Sequence, residues 1–425
     1  MLAVYESPHR PGFSAKTLAS AVAGAFALVY PAYLGLMFRS HAWIVAADGQ
    51  PAITDFLVFW LAGRSALHGA AASAYDPQVL HAAEAAAAGH DFLRHLPWRY
   101  SPFFMFVAAT LSLLPYVAAF LVWIGTTLAA FAVTVWRIAG SRPALVLACA
   151  TPAVFINALS GQNGPLTASL MGAVLLCLER KPHLVGGALL HLGERWLTAG
   201  VLLALLTYKP QFGILFPLVL VVGGYWRTLA AATFATAAGL LACWVVFGGD
   251  TLHAFIHFLP ITSKDLLVHG QNGFNNLQTV YGLARWLGFD NFLGWIAQGA
   301  VIAAVATALA WLWRSEVPFG LKAAAFGAAT LLATPHLYAY DFCVLTVSFA
   351  FLYRQRAFDA VEIAGIALAN LCIGLFLFFP TPIGLAAIGI TIAMIARRIL
   401  QEERQPAEHR TEDFGAQRMA LSTPQ

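Results

Sequence analysis

The sequence predicts an all-α polytopic membrane protein, a bundle of about 12 transmembrane helices, and two observations carry that prediction. The 425 residues are 60% hydrophobic and only 10% charged, whereas a soluble domain is roughly a quarter charged. Six runs, 17–38, 101–136, 143–178, 228–249, 291–313 and 363–396, contain no Asp, Glu, Lys or Arg. Each is long enough for one or two spans of about 20 residues. Backbone inside a bilayer must satisfy its own hydrogen bonds, so these runs are helices; the alternation of a membrane barrel is missing. The natural partner of such a chain is the lipid bilayer, and nothing in it supports nucleic-acid binding.

In order, the spans fall at 17–38, 101–136, 143–159, 164–178, 196–208, 211–224, 228–247, 291–313, 318–334, 337–353, 359–379 and 383–396. The first is too long for a signal-peptide core and lacks a clear cleavage site behind it, so it reads as a retained span. The run 101–136 is long for one straight crossing and short for two, and a break is expected near Pro115. Charge placement favours one net crossing. Then Arg137, Arg142, Arg180, Lys181, Arg195, Arg227, Arg314, Arg354, Arg356, Arg397 and Arg398 share a side with both termini. The other side holds Arg39, Arg64, Arg94, Arg99, Lys209, Lys264 and Arg285. The positive-inside rule puts both termini in the cytoplasm. Residues 1–16 are then a cytoplasmic N-terminal segment, 17–396 the membrane domain, and 397–425 a polar, aperiodic and disordered cytoplasmic tail. The five cysteines lie in apolar runs without a CxxC pair and read as packing residues.

This topology turns most polar clusters outward. The first extracytoplasmic loop, 39–100, holds "TDFLVFWLAGRSALHG" and "DPQVLHAAEAAAAG", which read as two amphipathic surface helices. Thr54 or Asp55 is placed to cap the first; Asp76, Pro77 and Gly89 frame the second. Stretch 248–290 is a second outward loop. "GQNG" occurs at 161–164 and again at 270–273, the latter running into "FNNLQTVYGL". Gln and Asn there offer uncharged donors and acceptors suited to sugar hydroxyls, though both tetrapeptides could simply end helices. Lys209 stands at the outer end of a span, where it either snorkels or meets a lipid phosphate. His336, Tyr338, Tyr340 and Asp341 crowd one late turn. No P-loop, HExxH, GxSxG or EF-hand loop is present, and the acids are too sparse for a conventional metal cage. No metal site is assigned, and a divalent requirement stays open.

Taken together, "TDFLVFWLAGRSALHG", "AYDP", "WRYSPFF", "GQNGPL", "TYKPQFGIL", "NGFNNLQTVYGL" and "TPHLYAYDF" resemble, in this order, glycosyltransferase family 87, formerly domain of unknown function 2029. The resemblance implies a GT-C fold, a helix bundle with surface helices around an extracytoplasmic site, in the inner membrane of a bacterium. It implies an inverting transfer of a sugar, often mannose, from a polyprenyl-phosphate donor to a lipid or glycan acceptor, with no cofactor required. The family's essential acid maps onto Asp55 and a histidine of a late outward turn onto His336. Substrate contacts are then expected from Arg64, Arg99, Tyr100, Gln162, Asn163, Lys209, Gln211, Asn272, Asn276, Tyr338 and Asp341. Chemistry agrees on the need for a base at the acceptor hydroxyl and for positive charge at the leaving phosphate, with Lys209, Arg64, Arg99 and Arg285 as cations. Two rivals remain: a lipid-linked-sugar transporter or flippase that couples protons through Asp55 and His336, and an idle scaffold that binds such lipids.

Overall fold

A computed structural model describes residues 15–93, 96–179 and 195–404. Positions 1–14, Arg94, Arg180, Lys181 and the expected tail from 405 onward lie outside the described residues. All regular structure among the described residues is helical. The helix α1 (Ala15–Arg39) is the expected first span. Behind it fold α2 (Asp55–Leu67), a 3-10 turn at Ala71–Tyr75 and α3 (Pro77–Ala88). In α3 Asp76 accepts hydrogen bonds from the amides of Gln78 and Val79, Pro77 takes the first position, and Gly89 ends the helix in the left-handed region. It is amphipathic, with Leu80, Glu84 and Ala88 buried along one stripe. The helix α2 corrects the expectation of a surface helix. Phe56, Leu57, Val58, Phe59, Leu61, Ala62 and Gly63 are all buried, because consecutive apolar residues demand cover on every side.

Proline divides several expected spans. The 101–136 run is α4 (Pro102–Leu111) and α5 (Tyr116–Ala139), parted just before Tyr116 as expected. The 143–159 span is two helices, α6 (Arg142–Cys149) and α7 (Pro152–Ser160). Pro152 has no amide to donate across the gap, and Thr151 before it is extended. Next come α8 (Gly164–Leu178) and α9 (Arg195–Leu206). The 211–224 span is a 3-10 turn at Pro210–Phe212 followed by the short α10 (Phe216–Val222). After α11 (Trp226–Phe247), the stretch expected as an outward loop contains α12 (Gly249–Ser263), a π-helical turn at Lys264–Val268 and α13 (Val280–Trp286). The chain continues as α14 (Asn291–Arg314), α15 (Phe319–Ala333), α16 (Cys343–Gln355), α17 (Ala360–Leu375) and α18 (Gly384–Arg404).

Five described helices are long and apolar enough to cross a membrane, within α1, α5, α11, α14 and α18, and six apolar stretches of 10–17 residues accompany them. The chain is an all-α membrane protein; among the described residues five helices, against the twelve expected, are long and apolar enough for a full crossing. Burial sorts the helices. Only 11% of the apolar window of α11 and 17% of that of α14 is buried in protein, and the outer surface of α11 is Phe234, Leu241, Trp244 and Val245, a surface for lipid. By contrast, α8, α15 and α16 are buried on nearly every side and form the centre.

The central helices have one charged end. Arg354, at the end of α16, grips Glu179, just past α8, through two hydrogen bonds of 3.0 and 2.9 Å. Beside them Arg398 pairs with the buried Glu362 at 2.6 Å and Arg397 with Asp359 at 2.7 Å. These bonds correct the expected start of the tail: α18 stays helical through Arg404 because its last turns are tied to the start of α17. The opposite ends of α8 and α16, about 20 Å away by helix rise, hold the polar turns that face the cavity described next.

Candidate active site

The site begins at the first turn of α2. Thr54 precedes the helix in an extended conformation but makes no capping bond; its hydroxyl hydrogen-bonds the Tyr116 hydroxyl at 3.0 Å. Asp55 is the first helical residue, where the positive end of the helix dipole favours its charge. Phe56 is fully buried against Tyr116 and Phe120 and anchors that turn. The first GQNG turn closes onto it. At Gly161 φ is +74°, and a Cβ would stand 2.4 Å from the Cβ of Phe56, so only glycine fits. Gly164 is as constrained, since a Cβ would lie 2.1 Å from the carbonyl oxygen of Tyr340. The turn thus touches both α2 and the turn before α16. Its Gln162 donates from Nε2 to Oδ2 of Asp55 at 3.0 Å and accepts at Oε1 from the Tyr100 hydroxyl at 3.3 Å.

From the other side, Lys209 and Asp341 meet. Pro210 ends the α9 segment and Lys209 leaves it non-helical, with its ammonium 4.9 Å from the Tyr340 ring centre and 5.4 Å from that of Phe212. Lys209 Nζ lies 2.8 Å from Asp341 Oδ1, both side chains buried. The other Asp341 oxygen accepts the Tyr338 amide at 3.1 Å. Burial pushes the Asp341 carboxyl up from its ordinary value while Lys209 draws it back. His336 is held well below its usual imidazole range, by burial first and then by the positive charges of Arg99 and Lys209. It is therefore neutral near pH 7. Its Nε2 is buried without a hydrogen-bond partner among the described residues.

These groups line one cavity of about 810 Å³. It gathers Asp55, His336, Arg99, Tyr100, Gln162, Lys209, Gln211, Asn272, Asn276, Tyr338 and Asp341. Asn272 Nδ2 donates to the Tyr338 hydroxyl at 3.1 Å, and the Gln211 carbonyl accepts from Thr334 at 3.3 Å. Two expected contacts are elsewhere. Arg64 is exposed at the far end of α2, over the Trp60 ring at 4.8 Å; about two and a half helical turns carry it away from Asp55. Asn163 is fully buried behind the wall, its carbonyl accepting from Tyr208 at 3.3 Å. Arg285 also points away, donating to the carbonyls of Val268 and Phe289.

Charge in the cavity is uneven. Its charged lining residues are Asp55, Asp341, Lys209 and Arg99, and Lys209 is matched by Asp341. Arg99 instead donates to Thr262 Oγ1 at 3.0 Å and to Gln271 Oε1 at 3.4 Å, and among the described residues it has no carboxylate within salt-bridge range. Thr262, Gln271, Tyr208 and Trp295, none of them named as a contact from the sequence, also line the space, as does Tyr340 of the late turn. Gln271 could have been found, because it holds in the second GQNG the place that Gln162 holds in the first. Thr262 follows Phe255, Phe258 and Leu259 at helical spacing, a period hidden by reading the stretch as a loop.

A family model described as glycosyltransferase family 87 matches residues 98–335. The chain belongs to glycosyltransferase family 87. Membership together with the apolar helices makes it a membrane glycosyltransferase, acting between a sugar donor and an acceptor. The match begins after Asp55 and stops one residue short of His336, so the parts these two play rest on geometry. No curated protein and no solved structure matches the chain.

Proposed function

We propose that this glycosyltransferase moves a sugar, with mannose the first to try, from a polyprenyl-phosphate donor to a hydroxyl of a lipid or glycan acceptor, inverting the anomeric carbon. The acceptor oxygen attacks that carbon as its proton passes to Asp55, and the bond from carbon to phosphate oxygen breaks on the opposite face. General-base help of this kind is worth typically 10²–10⁴-fold. Arg99 is the cation for the leaving phosphate, placed where negative charge develops as the bond breaks. Neutral His336 offers Nε2 to the phosphate or to a sugar hydroxyl. Lys209 acts at one remove, with Asp341 as its counterion.

The observation that carries this reading is the charge pattern of the one cavity. An acid sits at a helix start, and across the same space stands a cation, Arg99, with no carboxylate in salt-bridge range among the described residues. Such a site suits a monophosphate: with Lys209 matched by Asp341, Arg99 is left for the leaving phosphate and Asp55 for the acceptor hydroxyl, and among the described residues no group of three His, Cys, Asp or Glu side chains stands ready for a metal. The same reading gives a GT-C-like bundle of the inner membrane with cytoplasmic termini. The arginine-rich end of α16 and α18 would then face the cytoplasm and the cavity the outside.

The test is turnover in lipid. Purified protein is given short-chain polyprenyl-phosphate sugars and candidate acceptors, and release of polyprenyl phosphate is followed. Acceptor-dependent release that falls about 10²–10⁴-fold in Asp55→Asn is expected. Equal rates in wild type and Asp55→Asn would remove Asp55 as the base.

A further inference from the structure

Gln162 reads in the sequence as a substrate contact, and the structure gives its amide another occupation. We infer that Gln162, oriented by Tyr100, is the positioning residue of Asp55, fixing the direction in which the carboxylate faces the acceptor hydroxyl. The inference rests on the reading of Asp55 as general base.

An amide is useful here because its two ends differ: Nε2 can only donate and Oε1 can only accept. Tyr100 donates to Oε1, which turns Nε2 toward Asp55, where it donates to Oδ2. Burial, and the nearby negative charge of Asp55, push the Tyr100 phenol far above its ordinary value, so its proton stays in place and its role as donor does not switch with pH. Each member is itself fixed. The Tyr100 carbonyl accepts from the Tyr75 hydroxyl at 3.0 Å, and the Tyr100 ring meets Phe59 of α2 edge-on with centres 5.1 Å apart. The Gln162 backbone N–H donates to the Asn157 backbone carbonyl at 3.1 Å, within the turn that Gly161 lets close against Phe56. The segment that aims the carboxylate therefore packs on the helix that carries it. Such an arrangement holds reacting atoms to within the fraction of an ångström that near-attack geometry needs.

A hydroxyl-binding glutamine and a positioning glutamine fail differently when replaced. Steady-state rates are measured for Gln162→Leu, Tyr100→Phe and their double variant, and for each change combined with Asp55→Asn. If Gln162 positions Asp55, each single change lowers kcat by about 10–100-fold and leaves the KM of donor and acceptor within about twofold. The double variant is then no worse than the poorer single, and neither change costs anything further once Asp55 is Asn. A raised acceptor or donor KM with kcat preserved would overturn the inference, and so would an undiminished loss in the Asp55→Asn background. Should Gln162→Leu fail to fold, Tyr100→Phe, which removes one oxygen, carries the same comparison. A fully active Asp55→Asn would overturn the base assignment itself. An Asp55→Asn slowed about 10²–10⁴-fold, in which Gln162→Leu still takes its full loss, would overturn the positioning role alone.

Discussion

Replacing Lys209 by Met removes the ammonium from the buried pair and keeps an unbranched stem. At the observed 2.8 Å between Nζ and Oδ1, two unit charges attract by roughly 6 kcal/mol at an effective dielectric constant of about 20. Desolvation of both ions offsets much of this, and taking one partner from a buried pair costs about 3–5 kcal/mol. The size depends on pH, because the orphaned Asp341 can take up a proton. Burial already raises this carboxyl, and Lys209 lowers it through its charge and its hydrogen bond; without Lys209 it rises further. A raised folded value favours the protonated form in the folded state, so the stability linked to it is full in acid and is lost as pH rises through the folded value. In detergent, followed by tryptophan fluorescence, Lys209→Met should melt below wild type, with a deficit that widens as pH rises through the raised folded value of Asp341. Adding Asp341→Asn, which keeps an acceptor for the Tyr338 amide, should recover part of the loss because no unpaired charge remains buried. A Lys209→Met protein as stable as wild type at the alkaline end would refute the argument, and so would a double variant less stable than the single.

Three further outcomes are expected. Gly161→Ala forces a side chain into a left-handed position against Phe56; it should cost about 1–3 kcal/mol in thermal unfolding, and normal stability with normal activity would mean the turn relaxes freely. Arg99→Ala should lower kcat/KM for donor by about 10²–10³-fold, whereas Arg64→Ala, outside the cavity, should stay within about twofold of wild type; the reverse order would relocate the phosphate. Because His336 is held below its ordinary value of 6.5, its contribution to stability is present above that value and lost as pH falls through it. His336→Asn should thus lose less stability than wild type on acidification below pH 6.5, and parallel melting curves would show that the imidazole is not buried neutral.

Composition alone determined that this is a helical membrane protein, because a bilayer tolerates few charges and no unpaired backbone, and both limits are written in residue types. The ordered motifs were enough for the family, and most candidate side chains named from them do line one cavity. Glycine, proline and amide turns leave local signatures that survive without a structure. Partnership does not. That Lys209 spends its charge on Asp341, 132 positions away, and that Arg99 keeps its own, are facts about separations in space between residues far apart in sequence. The same holds for α2, which looks amphipathic as a string but is walled in by α4, the Ala71–Tyr75 turn and α3. Arg64 is a cation in the same motif as Asp55 and so a candidate for the phosphate, yet the pitch of a helix carries it to the surface. Gln162 shows the division most clearly. The sequence contains the amide, but only the fold, by setting Tyr100 at one end of it and Asp55 at the other, decides which way it faces.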